Sequence, residues 1–205
     1  MCRGVVALVA GVLLWVPAAA LGGEVDSRAV SFLEKQSLPM PTPRSMVFCH
    51  GFTCAFRTEI GFGPGDYARM SQMMAAGKGS AEAERTAIAR TEVWFEKRVA
   101  PLTGTGKAKA RSGGMTIGGT DRTQFDCIDA TVNTTSLLMI LNQLKLLRYH
   151  DIDAPISRLI TGGGPHFTAT IKDRKTGQGW TVDPWTHDHG ELPDVWTVER
   201  WKAGG

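Results

Sequence analysis

Between residues 127 and 148, Ile128, Val132, Leu137, Leu138, Ile140, Leu141, Leu144 and Leu147 leave only a narrow polar stripe. A helix apolar nearly all round is a central, buried one. Upstream, Ile88, Phe95, Val99 and Leu102 recur at helical spacing over 81–102, with Pro101 marking the end, and 66–74 predicts a shorter helix. Two short strands, 46–49 and 53–62, flank the glycine turn at Gly51, and 61–65 breaks the pattern. Downstream, β-type runs occupy 156–161, 166–173 and 178–183. The last two are joined by a hairpin turn at Arg174-Lys175-Thr176-Gly177, and 195–198 predicts a final short strand. Helices followed by antiparallel strands indicate an α+β fold.

The ends of the chain follow different rules. Arg3 precedes the almost wholly apolar run 5–16, and Pro17-Ala18-Ala19-Ala20 supplies a break with small residues. This reads as a secretory signal peptide over 1–22, and the short apolar run makes an uncleaved anchor the lesser alternative. Residues 23–44 are polar, then proline-rich (Pro39, Pro41, Pro43), and read as an N-terminal arm; 45–205 forms the domain. The expected location is periplasmic or secreted, with no stable membrane span once the leader is gone.

The formal charge is +3, and loss of Arg3 with the leader leaves about +2. So weak a balance gives no argument for nucleic acid, and the small cluster Lys107, Lys109 and Arg111 reads as a solvated loop within the Gly-, Lys- and Thr-rich stretch 104–120. The chain has 4 cysteines, of which Cys2 lies in the leader. An oxidising compartment would pair two of the remaining three. Cys49 and Cys54 flank His50-Gly51-Phe52-Thr53, and a tight hairpin there would set them face to face, leaving Cys127 as the spare thiol.

Cys127 opens the central helix, just after Asp126, a good capping residue. The helix dipole and free N–H groups at that end favour a thiolate, and are expected to lower the thiol pKa; Asp126 and Asp129 oppose this. His166 begins one β-run and Asp183 closes the next, so a hairpin brings the two to the same edge. Cys127 as nucleophile, His166 as base and Asp183 as its orienting carboxylate form a candidate Cys-His-Asp triad. The backbone N–H of Cys127 and the side chain of Gln124 are the oxyanion candidates. Separately, each residue has a bland role: a packed small thiol, a hydrogen-bonded His, an Asp ending a strand in a turn.

The stretches Asp126-Cys127-Ile128-Asp129-Ala130-Thr131, Pro165-His166-Phe167-Thr168-Ala169 and Trp180-Thr181-Val182-Asp183-Pro184-Trp185, with Cys49-His50-Gly51-Phe52-Thr53-Cys54 upstream, resemble the transglutaminase-like branch of the papain-type cysteine enzymes. They look most like a secreted proteobacterial group of that kind, over about 45–200. The resemblance implies a papain-like core, a central helix carrying the Cys packed on an antiparallel sheet, and thiol chemistry at an amide or thioester. Well-known transglutaminases carry an aromatic residue, typically Trp, beside the nucleophile, whereas the neighbours here are Asp126 and Ile128.

Two readings follow. One is a secreted hydrolase or acyl transferase acting on a peptide or peptidoglycan-like substrate, with no cofactor and no nucleic-acid partner. The other is a catalytically silent transglutaminase-like module that binds a cell-envelope partner, favoured if Cys127 is buried or disulfide-bonded. A metal protein is a third option. His187-Asp188-His189, with His50 and His150 elsewhere, offers ligands, but the cluster reads better as a polar loop and no metal is assigned. Phe167, Trp180, Trp185 and Trp196 read as sheet core or, alternatively, as a cleft wall. Asn133-Thr134-Thr135 matches a glycosylation sequon, but its place in a buried helix suits hydrogen bonds that support the site.

Overall fold

The computed structural model describes residues 22–113, 120–160 and 164–204, so the leader reading, residues 1–22, falls outside it apart from Gly22. In chain order the elements are α1 (Ser27–Lys35), β1 (Ser45–His50), β2 (Phe56–Gly61), α2 (Pro64–Ala75), α3 (Ala81–Thr103), α4 (Cys127–Gln143), β3 (His150–Ile160), β4 (Gly164–Asp173), β5 (Gly179–Val182) and α5 (Val198–Lys202). The protein is α+β, with a β1-β2 hairpin and a three-stranded antiparallel sheet in the order β3-β4-β5. Among the described residues no helix is long and apolar enough to cross a membrane.

The apolar pattern of 127–148 places α4 at the centre. Every residue of α4 except Ile128 and Gln143 is buried. It packs on β4 and β3 on one side and on β1 on another. Leu137, Leu138, Ile140 and Leu141 meet Phe48, Ile60, Phe95, Ile152 and Ile171 in one continuous core. The helix ends at Gln143, earlier than its apolar pattern suggests. Lys145 turns left-handed (φ 59°), and Leu146 N–H returns to the Leu141 carbonyl, so Leu144 and Leu147 pack from the turn beyond.

Other boundaries move for identifiable reasons. Strand β3 starts at His150, well before the run at 156, because its inward positions are His150, Ile152 and Ala154 and its intervening ones are polar. Its register with β4 shifts between Asp153 and Ile156, which accommodates Pro155 in the strand. Helix α3 passes through Pro101 to Thr103 and stops at Gly104, whose φ of 79° makes the left-handed cap. The strand expected at 195–198 is replaced by single bridges, Trp180 to Thr197 and Asp183 to Asp194, followed by α5.

The segment read as an arm is built into the domain. Val25 bridges to Ile152 at the edge of β3, Asp26 caps α1, and Ala29 and Leu33 of α1 are fully buried. Ala29 and Leu33 are buried and Val30 and Phe32 pack beside them, but the helix is short and mixes these closely with polar residues, which hides it from a reading of composition.

Candidate active site

The site is assembled around the first turn of α4. Asp126 caps it: Oδ1 accepts from the N–H groups of Ile128 (3.0 Å) and Asp129 (2.9 Å), while Asp129 Oδ2 accepts from Asp126 N–H (3.2 Å). These same carboxylates hold the turn between β1 and β2. Phe52, Thr53 and Cys54 are all left-handed, with φ of 71°, 50° and 56°. Three such non-glycine residues in succession cost on the order of 1 kcal/mol or more each.

The compensation is explicit. Phe52 N–H donates to Asp129 Oδ2 (2.9 Å), Thr53 N–H to Asp126 Oδ2 (2.8 Å) and Cys54 N–H to Asp129 Oδ1 (2.6 Å). The Cys49–Cys54 disulfide closes the turn with the Cα atoms 4.6 Å apart. The pairing is the expected one, but it does not run across a hairpin ladder. Cys49 lies opposite Arg57, and Cys54 reaches back from within the turn. Burial raises the pKa of Asp126, and burial with the Asp126 charge beside it raises that of Asp129 to about 7.

His166 and Asp183 meet as the hairpin geometry requires. His166 Nε2 and Asp183 Oδ2 are 2.6 Å apart, and both side chains are buried. The carboxylate accepts, so Nε2 is the donor, and in a neutral ring this leaves Nδ1 as the acceptor. That Nδ1 is buried and has no hydrogen-bond partner among the described residues. The indole Nε1 of Trp201 donates to the same Asp183 oxygen at 2.7 Å. The rings of Trp185 and Trp201 lie 4.4 Å and 5.2 Å from the imidazole.

Among the described residues Cys127 is the free cysteine, and its sulfur lies against the backbone just before His166. The thiol donates to the Pro165 carbonyl oxygen at 3.8 Å. The expected drop in thiol pKa is not what this environment produces. Burial pushes the thiol up to about 11; the charges of Asp126 and Asp183 add to the rise, and the N–H groups of Phe167 and Cys127 only partly offset it. The resting group is therefore a thiol, with no preformed ion pair.

A cleft of about 610 Å³ opens beside the imidazole, lined by His166, Trp185 and Thr186 together with Arg111, Arg158 and Leu159. Trp185 is thus a cleft wall, with its indole N–H fixed to the Ser112 carbonyl at 2.8 Å. Gly113 (φ 87°) lets this loop close over the helix start; a Cβ there would sit 2.6 Å from that of Asp126. The side-chain oxygen of Gln124 accepts from Lys109 N–H (2.9 Å) and Ser112 Oγ (3.0 Å), which leaves its NH2 as the group able to donate elsewhere.

Trp201 was invisible in the sequence. It sits alone in a short C-terminal segment, and no spacing links it to Asp183. Asn133 spans the backbone of Cys49, accepting from its N–H and donating to its carbonyl, both at 2.8 Å, and Thr134 donates to Glu92 at 2.9 Å. These polar residues support the site's surroundings, and Asn133 is too buried to accept a glycan. His187 and Asp188 turn to separate partners, Asp194 and Lys109 respectively, and His189 packs against Glu96. Burial lowers the His189 pKa to about 4. His50 is occupied by the Arg122 carbonyl and Thr58, and His150 by Glu84 and Arg85.

Comparison with family models, with curated proteins and with solved structures found no match for this chain in any of the three.

Proposed function

We propose that the protein is a secreted cysteine-dependent hydrolase or acyl transferase of transglutaminase-like, papain-type architecture, acting on peptide-type amide bonds through Cys127, His166 and Asp183. The observation that carries the reading is the buried, unpartnered Nδ1 of His166, whose tautomer is set by the bond from Nε2 to Asp183, beside the backbone that touches the Cys127 sulfur. A buried acceptor left without a hydrogen bond costs free energy in the resting fold, and a catalytic role as proton acceptor accounts for it.

In this reading Cys127 attacks the amide carbonyl as its thiol proton passes to Nδ1 of His166. The C–S bond forms, and the N–H of Cys127, free of any intrahelical acceptor, and the NH2 of Gln124 stabilise the oxyanion. His166 then returns the proton to the nitrogen as the C–N bond breaks, and the amine leaves. Water yields an acid from the thioester; an amine yields a new amide. Asp183 stabilises the imidazolium in between.

Burial of the thiol favours the second reading, a silent binding module. Alkylation separates the two. Wild-type Cys127 should react with iodoacetamide at neutral pH because His166 removes the proton. In His166→Ala the reaction should follow the thiol itself, with a midpoint near 11. Equal profiles for the two proteins would sink the catalytic reading.

A further inference from the structure

The cleft beside His166 has an unbalanced charge. Arg111, Arg158 and Lys202 line it, and among the described residues no acidic side chain does. None of the three forms a salt bridge with a described carboxylate, although the whole chain carries only +3. Arg158 stands opposite His166 in the β3–β4 register. Its guanidinium is fixed over the Trp201 ring at 4.6 Å and donates to the Trp201 carbonyl through Nη1, while its Nε is buried without a partner among the described residues. One cation is thus held in place beside the imidazole, with two exposed ones flanking it. An unpaired, partly desolvated guanidinium is matched by a carboxylate. Leu159, 84% exposed at the rim, and Trp185 supply apolar contact for the rest of a ligand.

We infer that this cleft takes a peptide-type acyl donor bearing a carboxylate next to the bond that is attacked. The inference rests on the catalytic reading for the attack but not for the binding, which depends on the cations alone. Neutral donors would lose the cationic contacts and keep only the apolar ones. The selectivity should fade with salt, because Arg111 and Lys202 are solvent-exposed.

The test is a binding titration followed by tryptophan fluorescence. A short acetylated peptide amide with one Glu is compared with its Gln counterpart, on the wild type and on the double variant Arg111→Gln, Lys202→Gln, which leaves the Trp201-bound Arg158 intact. A third peptide, with γ-linked D-glutamate and a free α-carboxylate, separates a peptidoglycan-type source from an acidic protein segment. The wild type should hold one of the two anionic peptides roughly 10-fold more tightly than the Gln peptide, and the double variant and high salt should each weaken that preference, Arg158 carrying what remains. No anionic preference in the wild type, or one unchanged in the double variant, overturns the inference. The iodoacetamide profiles report on catalysis independently, so either reading can fail alone.

Discussion

Trp201 donates its indole N–H to the Asp183 oxygen that also accepts from His166, at 2.7 Å and 2.6 Å. One carboxylate oxygen therefore ties α5, the end of β5 and the start of β4 into a single buried unit. With two donors on one oxygen, the carboxylate is held in place and the imidazole is fixed in rotation as well as in tautomer.

Trp201→Phe keeps a ring against His166 but removes the donor and part of a fully buried indole. Stability should fall by about 2–4 kcal/mol, from the lost bond to a carboxylate and the smaller ring. The alkylation rate of Cys127 at neutral pH should fall about 3- to 10-fold, through a less constrained imidazole. Thermal melts and labelling kinetics measure the two effects. A loss of stability with no change in rate would make Trp201 a packing residue only.

The turn at Phe52–Cys54 carries a second prediction. Replacing both Cys49 and Cys54 by Ser removes the closure of a very short loop, worth about 2 kcal/mol on the chain-entropy account. The left-handed turn then relies on Asp126 and Asp129 alone. Amide exchange at Phe52, Thr53 and Cys54 should accelerate well before exchange in the α4 interior, because their acceptors sit at the helix end where opening is cheapest. Uniform acceleration across α4 would mean that the turn and helix unfold as one unit.

Asn133 makes a third. Its side chain mimics a neighbouring strand, giving Cys49 both a donor and an acceptor inside the core. Asn133→Leu is close in shape but strands a buried N–H and a buried carbonyl, and should cost about 2–4 kcal/mol in denaturant unfolding. A loss under 1 kcal/mol would show that Cys49 finds other partners.

Much of this was legible in the sequence because it rests on periodicity. The apolar circumference of α4, the Asp126 cap and the hairpin linking His166 to Asp183 are local patterns, and a hairpin of known turn fixes which ends meet. The departures rest on tertiary contact. Residues 27–35 mix apolar and polar side chains over a short helix, so two fully buried side chains leave little trace. Strand β3 begins with His150, whose burial depends on Glu84 from α3. The thiol of Cys127 was expected to be acidic because the helix end is visible in sequence, whereas the desolvation that outweighs it comes from the packed loop around Phe125, Ala108 and Trp185.

Glu92 gives a fourth prediction, in pH. It is buried on α3, accepts from Thr134 through one oxygen, and leaves the other unpartnered; burial raises its pKa from 4.5 to about 7. The neighbouring Glu96 is raised too, by burial and by Glu92. The folded state thus binds these protons more tightly than the unfolded chain does. Below the unfolded value both states are protonated and nothing is lost. As pH rises from about 4.5 towards 7 the unfolded chain ionises first, and stability falls. The Glu92 share of the loss approaches about 3 kcal/mol by pH 8, an upper figure that relaxation of the site will reduce. Glu92→Gln removes that titration. The variant should therefore show a flatter stability profile between pH 5 and 8 in urea unfolding, and overtake the wild type at the alkaline end. A parallel profile, merely displaced downward, would show that Glu92 is ionised in the folded protein at neutral pH.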